Sequence, residues 1–97
     1  MITPEGIQEV AQAILERISH GVYDLDGVTN ESEIYKTSIE GNLLMVYLYF
    51  VDDLSGSLSN FKLISNIGNE FAIKSEIIDK PETKGLLVRF KFEVKEG

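Results

Sequence analysis

The sequence predicts an α+β domain: an N-terminal amphipathic helix followed by about six antiparallel strands that form a sheet or a small β-sandwich. Three observations lead to this prediction. Apolar residues recur at helical spacing near the N-terminus, nine apolar or aromatic residues run without a break over 43–51, and apolar and charged residues alternate from Leu86 to Lys95. The 97 residues suffice for one domain, 1–97, with the helix at roughly 4–20 and the β region at roughly 22–95.

The first element has start and stop signals for a helix. Thr3 is a favourable N-cap residue, and Pro4 suits the first helical position, where its missing N–H costs nothing. The residues that share the apolar side at helical spacing are Ile7, Val10, Ala11, Ile14 and Ile18. We expect His20 to lie in the last turn, close to free carbonyl groups, and Gly21 to end the helix.

From Gly21 onward the pattern changes to that of strands. Asp26-Gly27 lies between Val22–Leu25 and Val28, and this dipeptide is typical of a tight β-hairpin. Turn residues separate the remaining candidate strands. We place those strands at Glu33–Ile39, Leu43–Val51, Leu58–Ser65, Glu70–Ile78 and Leu86–Val94.

The segment Leu43–Val51 is apolar on both of its faces. One face carries Leu44, Val46, Leu48 and Phe50, and the other carries Leu43, Met45, Tyr47, Tyr49 and Val51. One face is expected to fill the core, and the other to lie either under the helix or against another subunit. Tyrosine favours the second alternative, because its ring packs while its hydroxyl stays hydrogen-bonded. The predicted protein-contact residues are Tyr35, Tyr47, Tyr49 and Phe50.

Composition argues against most catalytic and nucleic-acid-binding functions. The net charge is −7 without a basic run, which disfavours nucleic acid as a partner. His20 is the only histidine, so one chain cannot form a His-based triad or a His-rich metal site. The carboxylate pairs Asp24/Asp26 and Asp52/Asp53 lie next to turns, where Asp usually hydrogen-bonds the local backbone. We expect no enzymatic activity, no cofactor and no bound metal.

The sequence also carries no signal for membrane insertion or export. No segment approaches the ~20 apolar residues of a membrane-spanning helix. The first five residues lack the basic and apolar regions of a signal peptide. We therefore expect no membrane partner and no secretion through a signal peptide.

Several short motifs resemble one class of viral structural protein. They are Ile2–Ile7 with its helix, Ser57–Ile64 followed by Asn66–Ala72, Ile78–Pro81, and Lys84-Gly85 followed by Leu86–Val94. In this order they are similar to phage or prophage tail-fibre and baseplate-associated proteins. The resemblance spans most of the chain and implies a virion or prophage part, located in the virion or the host cytoplasm. It further implies docking onto other tail or virion proteins, usually as a homo-oligomer, and no catalytic residues.

The sequence thus favours a structural or adaptor protein that acts through protein–protein contacts in a tail or baseplate assembly. Two alternatives stay open. The acidic composition allows a small regulatory or inhibitor protein that binds a basic partner, and strong salt dependence of binding would favour it. A small-ligand-binding β-domain would require a pocket, which a sequence cannot show.

Overall fold

The computed structural model describes residues 3–51 and 54–94, and it begins with one helix, α1 (Pro4–Arg17). The predicted helix start is confirmed. The Thr3 hydroxyl accepts a hydrogen bond from the backbone N–H of Gly6 at 3.0 Å, and Pro4 occupies the first turn. Of the predicted apolar side of α1, Ala11 is buried but Val10 is 42% exposed, and Leu15, which lies outside that set, packs against the core.

The helix ends three residues before the predicted boundary. Ile18 has extended backbone angles, φ −90° and ψ 121°, and it begins the first strand, β1 (Ile18–Leu25). The predictions that His20 lies in the last helical turn and that Gly21 ends the helix are therefore wrong. Both residues lie in β1 and pair with residues 63 and 64 of a later strand. Backbone pairing with a neighbouring strand outweighs the weak helical preference of this segment.

The described residues contain seven antiparallel strands in two sheets, one more than the approximate count from the sequence. The strands after β1 are β2 (Val28–Ser32), β3 (Lys36–Glu40), β4 (Leu43–Phe50), β5 (Gly56–Ser65), β6 (Glu70–Lys80) and β7 (Leu86–Glu93). The first sheet has the order β2-β1-β5-β6 and the second β3-β4-β7. The predicted fold class is confirmed as an α+β sandwich.

The predicted hairpin at Asp26-Gly27 joins β1 to β2. Both residues have positive φ, 50° and 83°, which is the conformation of the turn that matches strand twist. Asp26 also joins the hairpin to β5, because its carboxylate accepts a hydrogen bond from the backbone N–H of Ser57 at 2.9 Å. The side chain therefore has a structural role at this turn.

The core lies between the two sheets and receives large side chains from both. On β4 the face that carries Leu44, Val46, Leu48 and Phe50 is buried, and Met45 of the other face is also only 8% exposed. The other core residues are Tyr23 of β1, Leu58, Phe61 and Leu63 of β5, and Val88 and Phe90 of β7. Gly21 of β1 lies close to Leu48 of the other sheet, since a Cβ at position 21 would lie 2.8 Å from both Leu48 methyl groups.

The helix lies at the side of the sandwich, where it contacts β1 of one sheet and β3 of the other. The alternative that it covers the outer face of β4 is wrong for the end of that strand, where Tyr49 is 39% and Val51 56% exposed. The radius of gyration is 14.7 Å, against about 12.5 Å for an average domain of this length. Within 3–51 and 54–94, no helix has the length and apolar character needed to cross a bilayer.

Candidate interaction surface

The outer face of the β3-β4-β7 sheet brings three of the four predicted contact residues together. Strand register aligns its side chains in rows across the sheet: Tyr49 with Leu87, Lys36 with Tyr47 and Arg89, and Ser38 with Met45 and Lys91. Tyr35 lies directly before β3 and joins the first row. We call the surface formed by these nine residues the tyrosine face.

The first row is an exposed aromatic pair. The rings of Tyr35 and Tyr49 lie 5.2 Å apart between centroids, with 34° between their planes. On its other side the Tyr49 hydroxyl lies over Gly85, where a Cβ would collide with it. Such ring pairs contribute about 0.5–1.5 kcal/mol beyond their buried area. The Tyr49 ring is thus held in place, although it and its neighbour Leu87 remain exposed.

The second row places an aromatic ring between two cations. Lys36 Nζ lies 5.0 Å from the centroid of the Tyr47 ring, a cation–π contact that contributes about 0.5–1 kcal/mol at an exposed site. Arg89 lies opposite Tyr47 on the other side. The Tyr47 hydroxyl donates to the Met45 sulfur at 3.5 Å, which joins this row to the third. The Tyr47 side chain therefore has contacts at both its ring and its hydroxyl.

The charge of this face differs from that of the whole chain. Lys36, Arg89 and Lys91 project from its middle rows in a protein of net charge −7. The acidic residues of the same face, Glu40 and Glu93, flank Leu43 at the far end of the sheet. The surface therefore combines tyrosine, arginine and apolar groups, which is the composition enriched at protein interfaces.

Phe50 does not belong to this surface, and its prediction as a contact residue is corrected. It is 3% exposed and packs edge to face on Tyr23 of the opposite sheet, with 4.8 Å between ring centroids. Strand alternation places it on the opposite side of β4 from Tyr47 and Tyr49. Sequence reasoning missed Lys36 and Arg89, whose proximity to Tyr47 depends on strand pairing.

The carboxylate pairs show structural contacts where they are described. Asp24 accepts hydrogen bonds from Thr29 Oγ1 at 2.9 Å and Asn60 Nδ2 at 2.8 Å. These bonds, first that from Asn60, lower the pKa of the Asp24 carboxyl below its ordinary value. Asp52 and Asp53 lie outside the described residues. In the part of the chain that the structure describes, no three His, Asp or Glu side chains are grouped to hold a metal ion.

His20 also has a place that the sequence did not predict. Its Nδ1 lies 3.1 Å from the Ser19 hydroxyl, and its Nε2 lies 3.9 Å from the Glu31 carboxylate on β2. These neighbours are on the outer face of the four-stranded sheet, away from the tyrosine face.

Comparisons of the chain with protein-family models, with curated proteins and with solved structures give no significant match.

Proposed function

We propose that this chain is a phage- or prophage-derived structural or adaptor protein that uses the tyrosine face for protein–protein contacts in a tail or baseplate assembly. The supporting observation is the exposed Tyr35–Tyr49 ring pair, which lies beside Leu87 and the Lys36–Tyr47–Arg89 row. The motifs that resemble tail-fibre and baseplate-associated proteins support the choice of assembly. Other tail or virion proteins are the proposed partners.

The geometry suits binding for an entropic reason. A side chain that is already fixed loses little conformational freedom when a partner covers it, and tyrosine has only two rotatable side-chain bonds. Tyrosine and arginine also dominate the small set of residues that carry most interface energy. Tyr49, fixed by Tyr35 and Gly85, is the residue that we expect to contribute most.

The surface area that a stable contact must bury shows that the two exposed tyrosines do not act alone. Burial of apolar surface contributes about 25 cal/mol per Å², so 100 Å² gives about 2.5 kcal/mol. Association costs about 4–15 kcal/mol before any net affinity remains. A stable contact therefore needs about 800 Å² on each partner. The proposal accordingly includes all three rows of the tyrosine face.

The test uses particles induced from the strain that carries the gene. We expect the chain to co-purify with tails, and the double variant Tyr35→Ser/Tyr49→Ser to be incorporated about tenfold less, as the loss of roughly 1.4 kcal/mol of contact energy requires. Ile67→Ser is the matched control, since it removes an exposed apolar side chain from the β5–β6 turn. Circular dichroism checks that all variants fold.

Two results would contradict the proposal: absence of the chain from purified tails, or equal incorporation of the double variant and the native chain. The acidic-inhibitor alternative predicts a different pattern. Because the tyrosine face carries three cations, a basic partner would bind elsewhere. That alternative would be favoured if affinity for the partner falls steeply with salt concentration and is the same for the tyrosine variants as for the native chain.

A further inference from the structure

The strand β6 leaves one edge unpaired within the described residues. It is the last strand in the order β2-β1-β5-β6, and at 11 residues it is about 36 Å long. An uncovered edge presents backbone N–H and C=O groups that can pair with another strand. The usual protections of such an edge are short strands, prolines, bulges and inward-pointing charges. β6 is long and has no proline, although its register with β5 is irregular and Lys74 and Glu76 point inward.

The side chains along β6 divide into an apolar and a charged face. Ile73 and Ile77 lie on the outer face, opposite Lys62 and Ser59 of β5, and they are 58% and 77% exposed. Lys74 and Glu76 lie on the other face, where Lys74 Nζ is 3.5 Å from the Glu76 carboxylate. Both line a surface hollow beside β7.

The segment 73–77 is symmetric about Ser75. Reading outward from Ser75, the first neighbours are Lys74 and Glu76, of opposite charge, and the second neighbours are Ile73 and Ile77. Ser75 is also the midpoint of Glu70–Lys80. In an antiparallel pair of two such strands, Ser75 lies opposite Ser75 of the second copy. Ile73 then lies opposite Ile77, and Lys74 opposite Glu76, on both sides of the axis.

We propose that two copies of this chain associate through their β6 edges, antiparallel and in this register. The two four-stranded sheets become one continuous sheet across a two-fold axis at Ser75. One Ile73–Ile77 pair lies on its outer face on either side of the axis, and two Lys74–Glu76 pairs lie on its inner face. Lys74 and Glu76 line the same hollow as Tyr47, Leu87 and Arg89, so this interface lies beside the tyrosine face. It pairs none of the nine residues of that face and does not depend on the function proposed above.

Side-chain chemistry favours this register over the registers shifted by one or two residues. A shift of one residue would direct Ile73 and Ile77 to the charged face of the second copy. A shift of two residues would place Lys74 opposite Lys74, or Glu76 opposite Glu76, and like charges directly opposed are destabilising. The register centred on Ser75 avoids both conflicts.

Charge reversal on β6 gives the main test, measured by sedimentation of the full chain. We expect the native chain to dimerise, and Lys74→Glu and Glu76→Lys each to weaken the dimer about tenfold through two like-charged pairs. A mixture of the two single variants should form a heterodimer, because the two acidic side chains at positions 74 and 76 of one chain then face the two lysine side chains of the other. The double variant should also dimerise as the native chain does.

The mixture separates interface effects from folding defects. Lys74 Nζ also donates to the carbonyl oxygen of Arg89 at 3.1 Å, so Lys74→Glu removes one contact within the chain. A folding defect would persist after mixing, whereas a lost interface would be restored. The tyrosine-face variant Tyr35→Ser/Tyr49→Ser should dimerise normally, which keeps this test independent of the proposed function.

A cysteine at the two-fold axis tests the register directly. The chain has no cysteine. Directly opposed residues of an antiparallel pair have Cα atoms about 4.5–5.5 Å apart, within disulfide range. Ser75→Cys should cross-link rapidly under mild oxidation, and Ser19→Cys, exposed on β1, should not. A native chain that stays monomeric up to about 1 mM would overturn the proposal. So would a dimer insensitive to the charge variants, or equal cross-linking at the two cysteine positions.

Discussion

The contact between Gly21 and Leu48 gives the most quantitative prediction about the fold. These residues belong to different sheets, and a Cβ at position 21 would lie 2.8 Å from Leu48 Cδ1 and Cδ2. Ordinary contacts between carbon atoms are about 3.5–4.0 Å, so Gly21→Ala creates two overlaps of roughly 0.7–1.2 Å. Leu48 has no exposed surface and is enclosed by the core.

The free-energy cost of Gly21→Ala depends on whether Leu48 is present. Overpacking a core costs about 1–3 kcal/mol, and replacing Gly with Ala recovers about 0.4–1 kcal/mol through the unfolded state, so the net cost of Gly21→Ala should be about 0–2.6 kcal/mol. Leu48→Ala should cost about 2–5 kcal/mol by leaving a cavity. With Leu48 shortened, the added methyl group enters that space, and Gly21→Ala should become neutral or stabilising.

The assay is a double-mutant cycle in urea, with unfolding followed by circular dichroism and tyrosine fluorescence. The expected coupling energy between the two positions is about 1–3 kcal/mol. Leu87→Ala on the exposed face of β7 is the control, and its effect should stay within about 0.5 kcal/mol. An equal cost of Gly21→Ala with and without Leu48 would refute the sheet packing described above.

Three further predictions concern local contacts. Thr3→Ala removes the N-cap acceptor and should lower the free energy of unfolding by about 1 kcal/mol in thermal melts. Thr3→Ser keeps a hydroxyl acceptor and should leave that free energy unchanged. Because hydrogen bonds lower the pKa of Asp24 in the folded state, their stabilisation should be present above its unfolded pKa and be lost as the pH falls through the folded pKa. Asn60→Ala should raise the pKa in an NMR titration, and an unchanged value would contradict the assignment. Gly85→Ala should displace the Tyr49 ring, with a changed ring-proton shift as the readout, whereas an identical spectrum would exclude the close approach.

Local patterns predicted the elements better than their boundaries. Thr3-Pro4 located the helix start because capping depends on adjacent residues alone. The helix end depended on pairing of Ile18 and His20 with β5, which lies more than 40 residues away in sequence. An apolar residue such as Ile18 fits either a helix or a strand, so the spacing could not decide between them.

The candidate surface was predictable in part for a similar reason. Alternation in β4 showed that Tyr47 and Tyr49 share a face. It could not show which face the other sheet would cover, and Phe50 was therefore included wrongly. The positions of Lys36 and Arg89 beside Tyr47 depend on the order β3-β4-β7. That order is a property of the assembled sheet and leaves no signal within a single strand.

Site-specific photo-cross-linking tests the central claim most directly, namely that the tyrosine face is where this chain meets its partner. A photoreactive phenylalanine analogue replaces Tyr49 in one version of the chain and Ile67, which is also exposed, in another. Both are irradiated in induced particles. We expect a cross-link from position 49 to a tail or baseplate protein and none from position 67. Cross-links from position 67 alone, or from neither position in particles that contain the chain, would contradict the account.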